Sequence, residues 1–287
     1  MTALATSVSE RPEISIVSTI ARKELRTTVA SKWFWMWGFA FVGLAAILVT
    51  VALPDSRLGT DAGFGRTAAS LVTLVQIIVP LMGLTLGAMS IAGQRESGAL
   101  RFLMSHPVSR TEAFWGTYLG LAGALALAAG SGFGIAGVLT AIRGVPTGAS
   151  TFVWIAALSW LLSIGMLGLG MLISTFATRS GSALGVAIFV WLVMVFIGDL
   201  GLMGTSAATG MPTAVLFSAA LFNPVEVFRL TALASFSGSL DVLGPAGTYA
   251  VDTFGTSLLP SLFAVLLLWV TAPAAVAWIR FKGRSDL

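Results

Sequence analysis

Apolar residues run through this chain in long blocks, and the polar ones gather in the gaps between them. An α-helix rises 1.5 Å per residue, so a hydrocarbon core of about 30 Å takes roughly 20 apolar residues to cross. Six blocks reach that length, at residues 33–53, 68–91, 114–141, 152–177, 183–203 and 257–279. The pattern predicts an all-α membrane protein with six transmembrane helices.

A further stretch, MPTAVLFSAALFNPVEVFRLTAL, is apolar enough for a seventh crossing but carries Asn223, Pro224, Glu226 and Arg229. The distribution of cations decides its place. With the N-terminus inside, only Arg57, Arg66, Arg143 and Arg229 of the 16 Lys and Arg residues fall outside, and cytoplasmic flanks are where Lys and Arg concentrate. A seventh crossing would carry the IRFKGR tail outside. Residues 204–256 are therefore expected to form an external connection with a re-entrant segment before the last helix. Both termini are then cytoplasmic, and the chain is placed in the cell membrane as a multi-pass protein.

Residues 14–32 precede the first block and show no leader-cleavage pattern. At helical spacing Ile14, Val17, Ala21, Leu25 and Thr28 share one face, while Ser15, Thr19, Arg22 and Arg26 share the other. That is the pattern of an amphipathic helix lying in the inner interface, with a plain basic flank as the alternative. The chain divides into a cytoplasmic N-terminus with its interfacial helix at 1–32, a transmembrane domain at 33–279 and a cytoplasmic tail at 280–287.

Composition supports a lipid solvent: 56% of residues are hydrophobic and 10% charged, with a mean hydropathy of +0.94. A soluble domain carries about 25% charged residues. The net charge of +4 reflects cations at membrane flanks, so no nucleic-acid partner is expected. Cys is absent and His106 is the only His, which excludes disulfides, thiolate metal sites, His-pair metal sites and a Ser-His-Asp triad. None of Lys23, Lys32 and Lys282 follows a Gly, so no phosphate-binding loop is present. The chain is expected to be no enzyme and to bind no cofactor itself.

Few groups within the blocks invite chemistry. Asp199 lies near the outer end of the fifth, and Gln76 and Pro80 in the second are weaker cavity candidates. The ten Met residues are scattered and read as gap-fillers. Gly116-x-x-x-Gly120, Gly130-x-x-x-Gly134 and Gly181-x-x-x-Gly185 permit close helix approach and read as packing within one subunit.

Charge returns in IAGQRESGALRFLMSHPVSRTEAF, residues 91–114. In this topology residues 93–113 form the only sizeable cytoplasmic loop between spans. RESGALRFLM is predicted to form a short helix opened by Arg95 and Glu96, with Leu100, Leu103 and Met104 on one side. Pro107 disfavours helix at His106 and turns the chain. Ser109 and Glu112 then form a capping box for the next helix. A solvated connector that only fixes topology is the competing reading.

IAGQRESGALRFLMSHPVSR resembles the coupling-helix segment of ABC-2 type transporter permeases. The likeness extends to an IARKELR elbow helix before the first span, to the six spans and to a long external segment before the last. NPVEVFRL further resembles the branch serving nitrous-oxide-reductase maturation (Nos). Gln94 stands where many relatives carry an acidic residue. The resemblance implies a self-dimer whose coupling helices sit on separate ABC ATPase subunits. Contact with those subunits is carried over to Arg95, Glu96, Gly98, Leu100, Arg101, Phe102, Pro107 and Arg110. Asn223, Pro224, Glu226 and Arg229 mark the re-entrant segment or an external partner contact.

The expected function is that of the permease subunit of an ATP-driven exporter, of Nos type by the second resemblance. The alternative is a mechanical transmitter that moves an extracytoplasmic partner protein and transports nothing. A channel would need a polar row within the spans, and these spans lack one.

Overall fold

A computed structural model of the chain describes residues 14–52, 60–142, 149–209, 212–236 and 245–283. Asp199, Arg66 and Trp33 lie on helices, but their side chains fall outside the described residues, as do Arg57, Arg143 and both chain ends. No strand occurs among the described residues. The helices are α1 (Ile14–Ala30), α2 (Lys32–Ala52), α3 (Thr60–Glu96), α4 (Ala99–Met104), α5 (Arg110–Ile142) and α6 (Ala149–Phe176). They continue with α7 (Ser180–Thr209), α8 (Thr213–Leu221), α9 (Pro224–Phe236), α10 (Pro245–Phe254) and α11 (Leu258–Lys282). Four of them, α3, α5, α6 and α11, are long and apolar enough to cross a membrane alone. Two bent pairs, α1 with α2 and α8 with α9, bring the number to as many as six. The predicted blocks at 33–53 and 183–203 correspond to α2 and α7, of 21 and 30 residues.

The bundle is assembled on glycines. Gly83 and Gly87 of α3 lie against α6, where a Cβ on Gly83 would stand 2.9 Å from Met166 and one on Gly87 2.8 Å from the Met171 amide. Gly170 returns the contact, since its Cβ would meet Leu84 and Ala88. This close approach lets Ser174 of α6 reach the backbone of α3: its hydroxyl accepts from the Ala92 N–H at 2.8 Å and donates to the Ala88 carbonyl at 2.7 Å. Ser174 thus sits inside the i to i−4 hydrogen-bond ladder of its neighbour. Gly165 and Gly168 bring α11 onto the other side of α6, close to Trp269 and Ala274.

The predicted Gly116 and Gly120 pair also packs within the chain, against Val17, Ile20, Ala21 and Glu24 of α1. The other two pairs make no such contact among the described residues, where nothing lies within 4 Å of a Cβ built on Gly130, Gly134, Gly181 or Gly185. The predicted faces of α1 hold: Thr28 is buried and Val17, Ala21 and Leu25 are half-buried, while Ser15, Thr19, Arg22 and Arg26 are exposed; only Ile14, at the start of the helix, departs at 85% exposed, and the buried set also takes in Ile20. Ile20 was not on the predicted face, and its place there follows from contact with Gly116 rather than with lipid alone. Rings of Phe41 in α2 and Phe133 in α5 meet edge-on at 5.5 Å and complete this side of the core.

Candidate functional site

At one end of the bundle the chain passes from α3 through α4 to α5, and each step has a local cause. Gly98 takes a left-handed conformation (φ 75°) that β-carbon-bearing residues avoid, and its N–H donates to the Arg95 carbonyl at 3.2 Å. Helix α3 therefore ends at Glu96, and α4 begins beyond the glycine. This corrects the expectation that Arg95 and Glu96 open the short helix; they close the preceding one.

Both residues act on the turn between α6 and α7. Arg95 Nη1 donates to the Ala177 carbonyl at 2.6 Å, at the end of α6. The Glu96 carboxylate accepts the Ser180 N–H at 2.9 Å and also the Ser180 hydroxyl, at the start of α7. An anion there satisfies an unpaired helix N–H and lies at the positive end of the helix dipole. The Ser180 hydroxyl and then its N–H hold Glu96 below the usual carboxylate range, opposed by a desolvation effect, with Arg179 adding to the lowering.

Helix α4 is rooted by Leu100, 2% exposed, and presents Phe102, 70% exposed, together with exposed Arg101. His106 folds back so that Nδ1 lies 3.0 Å from the Phe102 carbonyl and the two rings meet at 4.8 Å. After exposed Pro107 the predicted capping box is present: the Ser109 N–H donates to the Glu112 carboxylate at 2.7 Å, and the Glu112 N–H to Ser109 Oγ at 3.2 Å. Arg110 Nη1 reaches the Lys282 carbonyl of α11 at 3.3 Å, and the Arg280 guanidinium lies 3.6 Å from the Phe176 ring centre. Gln94 Nε2 lies 3.4 Å from Glu24 of α1. The ends of α3, α5, α6, α7 and α11, with the body of α1 at Glu24, are thus tied together beneath a protruding α4.

The second predicted site lies in the hairpin of α8 and α9, which are bent by 109°. Asn223 makes this turn: Nδ2 donates to the Met194 carbonyl of α7 at 2.6 Å, and Oδ1 accepts the Val225 N–H at 3.0 Å, capping α9. Pro224 follows at the first helical position, where its missing N–H costs nothing. Trp269 Nε1 donates to the Leu221 carbonyl at 3.1 Å. Met194 stands about 21 Å along α7 from Ser180, and Trp269 about 16 Å along α11 from Leu258, so the turn reaches the middle of both helices.

Glu226 is 2% exposed, and Arg229 Nη1 lies 3.8 Å from its Oε2. The carboxylate borders a cavity of about 20 Å³, with Gln76, Thr73 and Val195 on the facing helices. Burial takes Glu226 off any external docking surface and brings it to Gln76, which the sequence offered only as an isolated candidate. Among the described residues no group of three or more His, Asp or Glu could hold a metal ion. The residues missed by sequence reasoning are Ser174, Ser180 and the glycines of α3 and α6. Gly83-x-x-x-Gly87 has the same spacing as the motifs singled out, so its signal was available.

Residues 18–287 match the family described as ABC-2 family transporter protein. The protein NosY of Stutzerimonas stutzeri, described as a probable ABC transporter permease, is 30% identical over 275 residues, which cover 92% of this chain and 97% of that protein. A protein of the same description from Pseudomonas aeruginosa is 29% identical over 280 residues, covering 94% and 98%.

Proposed function

The chain belongs to the ABC-2 transporter family, whose members are membrane permease components, and on that premise we propose that α4 is the coupling helix through which separate ABC ATPase subunits drive this permease. The observation that carries the proposal is the contrast between Leu100, 2% exposed, and Phe102, 70% exposed, on one short helix. An exposed aromatic on a rooted base is the kind of residue that anchors an interface. Motion of the partner would reach α3 and α5 directly, and through Arg95 and Glu96 the α6–α7 turn. ATP and Mg belong to the partner. On this reading α1 is the elbow helix, the α8–α9 hairpin is re-entrant from the outer side, both chain ends are cytoplasmic, and two copies form the exporter.

The test is copurification of the ATPase subunits with the full-length permease. Phe102→Ala and Arg101→Glu should each weaken the complex, and loss of the aromatic anchor should cost on the order of 2 kcal/mol, roughly thirtyfold in affinity. Unchanged complex yield and ATPase rate in both variants would leave α4 a mere connector.

The similarity to two proteins named NosY supports a Nos-type role, and transmission of movement to an external protein is the second mode open to such a permease. One structural feature favours that second mode: residues 251–257, at the end of α10 and the turn after it, are all exposed. Capture of a stoichiometric extracytoplasmic protein that is lost on substitution of Phe254 would support it. Uptake or export of a solute by reconstituted permease and ATPase alone would favour transport.

A further inference from the structure

We propose that the groove between α1 and α4 binds an anionic phospholipid of the inner leaflet, with an acyl chain on its floor and the phosphate at Lys23. The groove has a volume of about 390 Å³. Its floor is apolar, built from Ile16 and Ile20 of α1 with Leu103 and Val108 opposite, and Phe102 and His106 complete the α4 side. Its rim is polar along α1, where Ser15, Thr19 and Lys23 recur at intervals of four and so share one ridge. The Thr19 hydroxyl donates to the Ser15 carbonyl at 2.8 Å, within its own helix, and His106 on the opposite wall has Nδ1 3.0 Å from the Phe102 carbonyl; Lys23 Nζ donates to Glu24 Oε1 at 3.0 Å and, with three donors, keeps others for a ligand anion.

Charge selects the occupant. Exposed Arg22, Lys23 and Arg26 lie on α1, and Arg101 is exposed on α4. The acid beside them is Glu24, whose side chain is 13% exposed and lies 3.0 Å from Lys23. An apolar floor under a cationic rim matches a phosphodiester with its acyl chain, and basic pockets on the cytoplasmic side of membrane proteins recognise such headgroups. Position agrees: a single residue, Ser31, separates α1 from α2, and Lys23 stands about 13 Å along the chain from Lys32, where α2 begins. The rim is therefore held near the headgroup layer. The inference rests on α2 entering the membrane from the cytoplasm and does not require α4 to dock an ATPase.

The full-length chain, purified alone in detergent, is equilibrated with equal dioleoyl phosphatidylglycerol and dioleoyl phosphatidylcholine, and retained lipid is counted by native mass spectrometry. Wild type should keep phosphatidylglycerol over phosphatidylcholine by roughly fivefold or more, the range expected for one cation at a headgroup. Lys23→Glu should abolish the preference, and so should Lys23→Gln, which conserves a good helix former. Arg26→Glu, the same charge reversal outside the groove, should keep it. Leu103→Asp should reduce retention of both lipids. Helical content by circular dichroism confirms that each variant is folded. Equal losses from Lys23→Glu and Arg26→Glu would reduce the effect to diffuse surface charge and overturn the site. Displacement of the lipid by glycerol phosphate would assign the rim to a soluble phosphate instead.

Discussion

The carboxylate of Glu96, the last residue of α3, accepts the backbone N–H of Ser180, the first residue of α7, at 2.9 Å. Residues 84 positions apart are joined where one helix ends and the other begins. A substitution at Glu96 therefore disturbs the permease before it touches any partner, and loss of complex in such a variant would not identify a docking contact.

Glu96→Gln should lower the melting temperature of the purified chain, as should Ser180→Ala. The double variant should fall short of the sum, because both remove the same interaction. Protonation acts in the same sense. Glu96 is held below its ordinary value of 4.5, so its contribution is present above that value and lost as pH falls through the lowered one. Thermal unfolding followed from pH 7 into the acid range should show a loss in wild type that is smaller in Glu96→Gln.

Close packing of α3 on α6 gives a contrast between glycines. A Cβ at Gly87 would collide with the α6 backbone at Leu167 and Met171, and overpacking of this kind costs about 1–3 kcal/mol. Gly130 has open space around it, so Gly130→Ala should be neutral or stabilising by up to about 1 kcal/mol through helix propensity. Comparing melting curves of the two variants tests the assignment of this interface.

Glu226 and Arg229 form a pair with side chains 3% and 18% exposed. Removing one partner of a buried pair leaves an uncompensated charge, whereas replacing both is much better tolerated. Glu226→Leu should cost about 3 kcal/mol, and Glu226→Leu with Arg229→Met should recover part of it. Equal stability of the single and double variants would show that the two charges do not act as a pair.

Orientation is measurable with thiols, since the chain has no native Cys. A Cys at Ser235 should react with an impermeant maleimide added to sealed cells, and a Cys at Ser97 should react only after permeabilisation. Reaction at Ser97 from outside would invert the topology.

The helices were legible because their apolar runs exceed what a soluble helix needs, and the Ser109–Glu112 cap was legible because its spacing is its mechanism. Position 96 was seen, but its partner was not: Ser180 lies far along the chain, and nothing local to either residue announces the other. Glu226 and Gln76 became neighbours only when the Asn223 turn carried α9 into the bundle. The two faces of α1 were legible in its periodicity, but the seat of Ile20 on Gly116 was not, because a helix read in isolation does not announce its neighbour.

The hydroxyl of Ser174 has a kinematic consequence. Since it occupies a rung of the α3 ladder, α6 cannot slide along α3 without breaking two hydrogen bonds together and driving side chains over glycine-lined backbone. The pair behaves as one strut with a welded joint. Any alternation between inward and outward shapes must then pivot where the neighbouring helices α2, α5, α7, α9 and α11 meet this strut, and amide exchange at Ala92 should be among the slowest in the molecule.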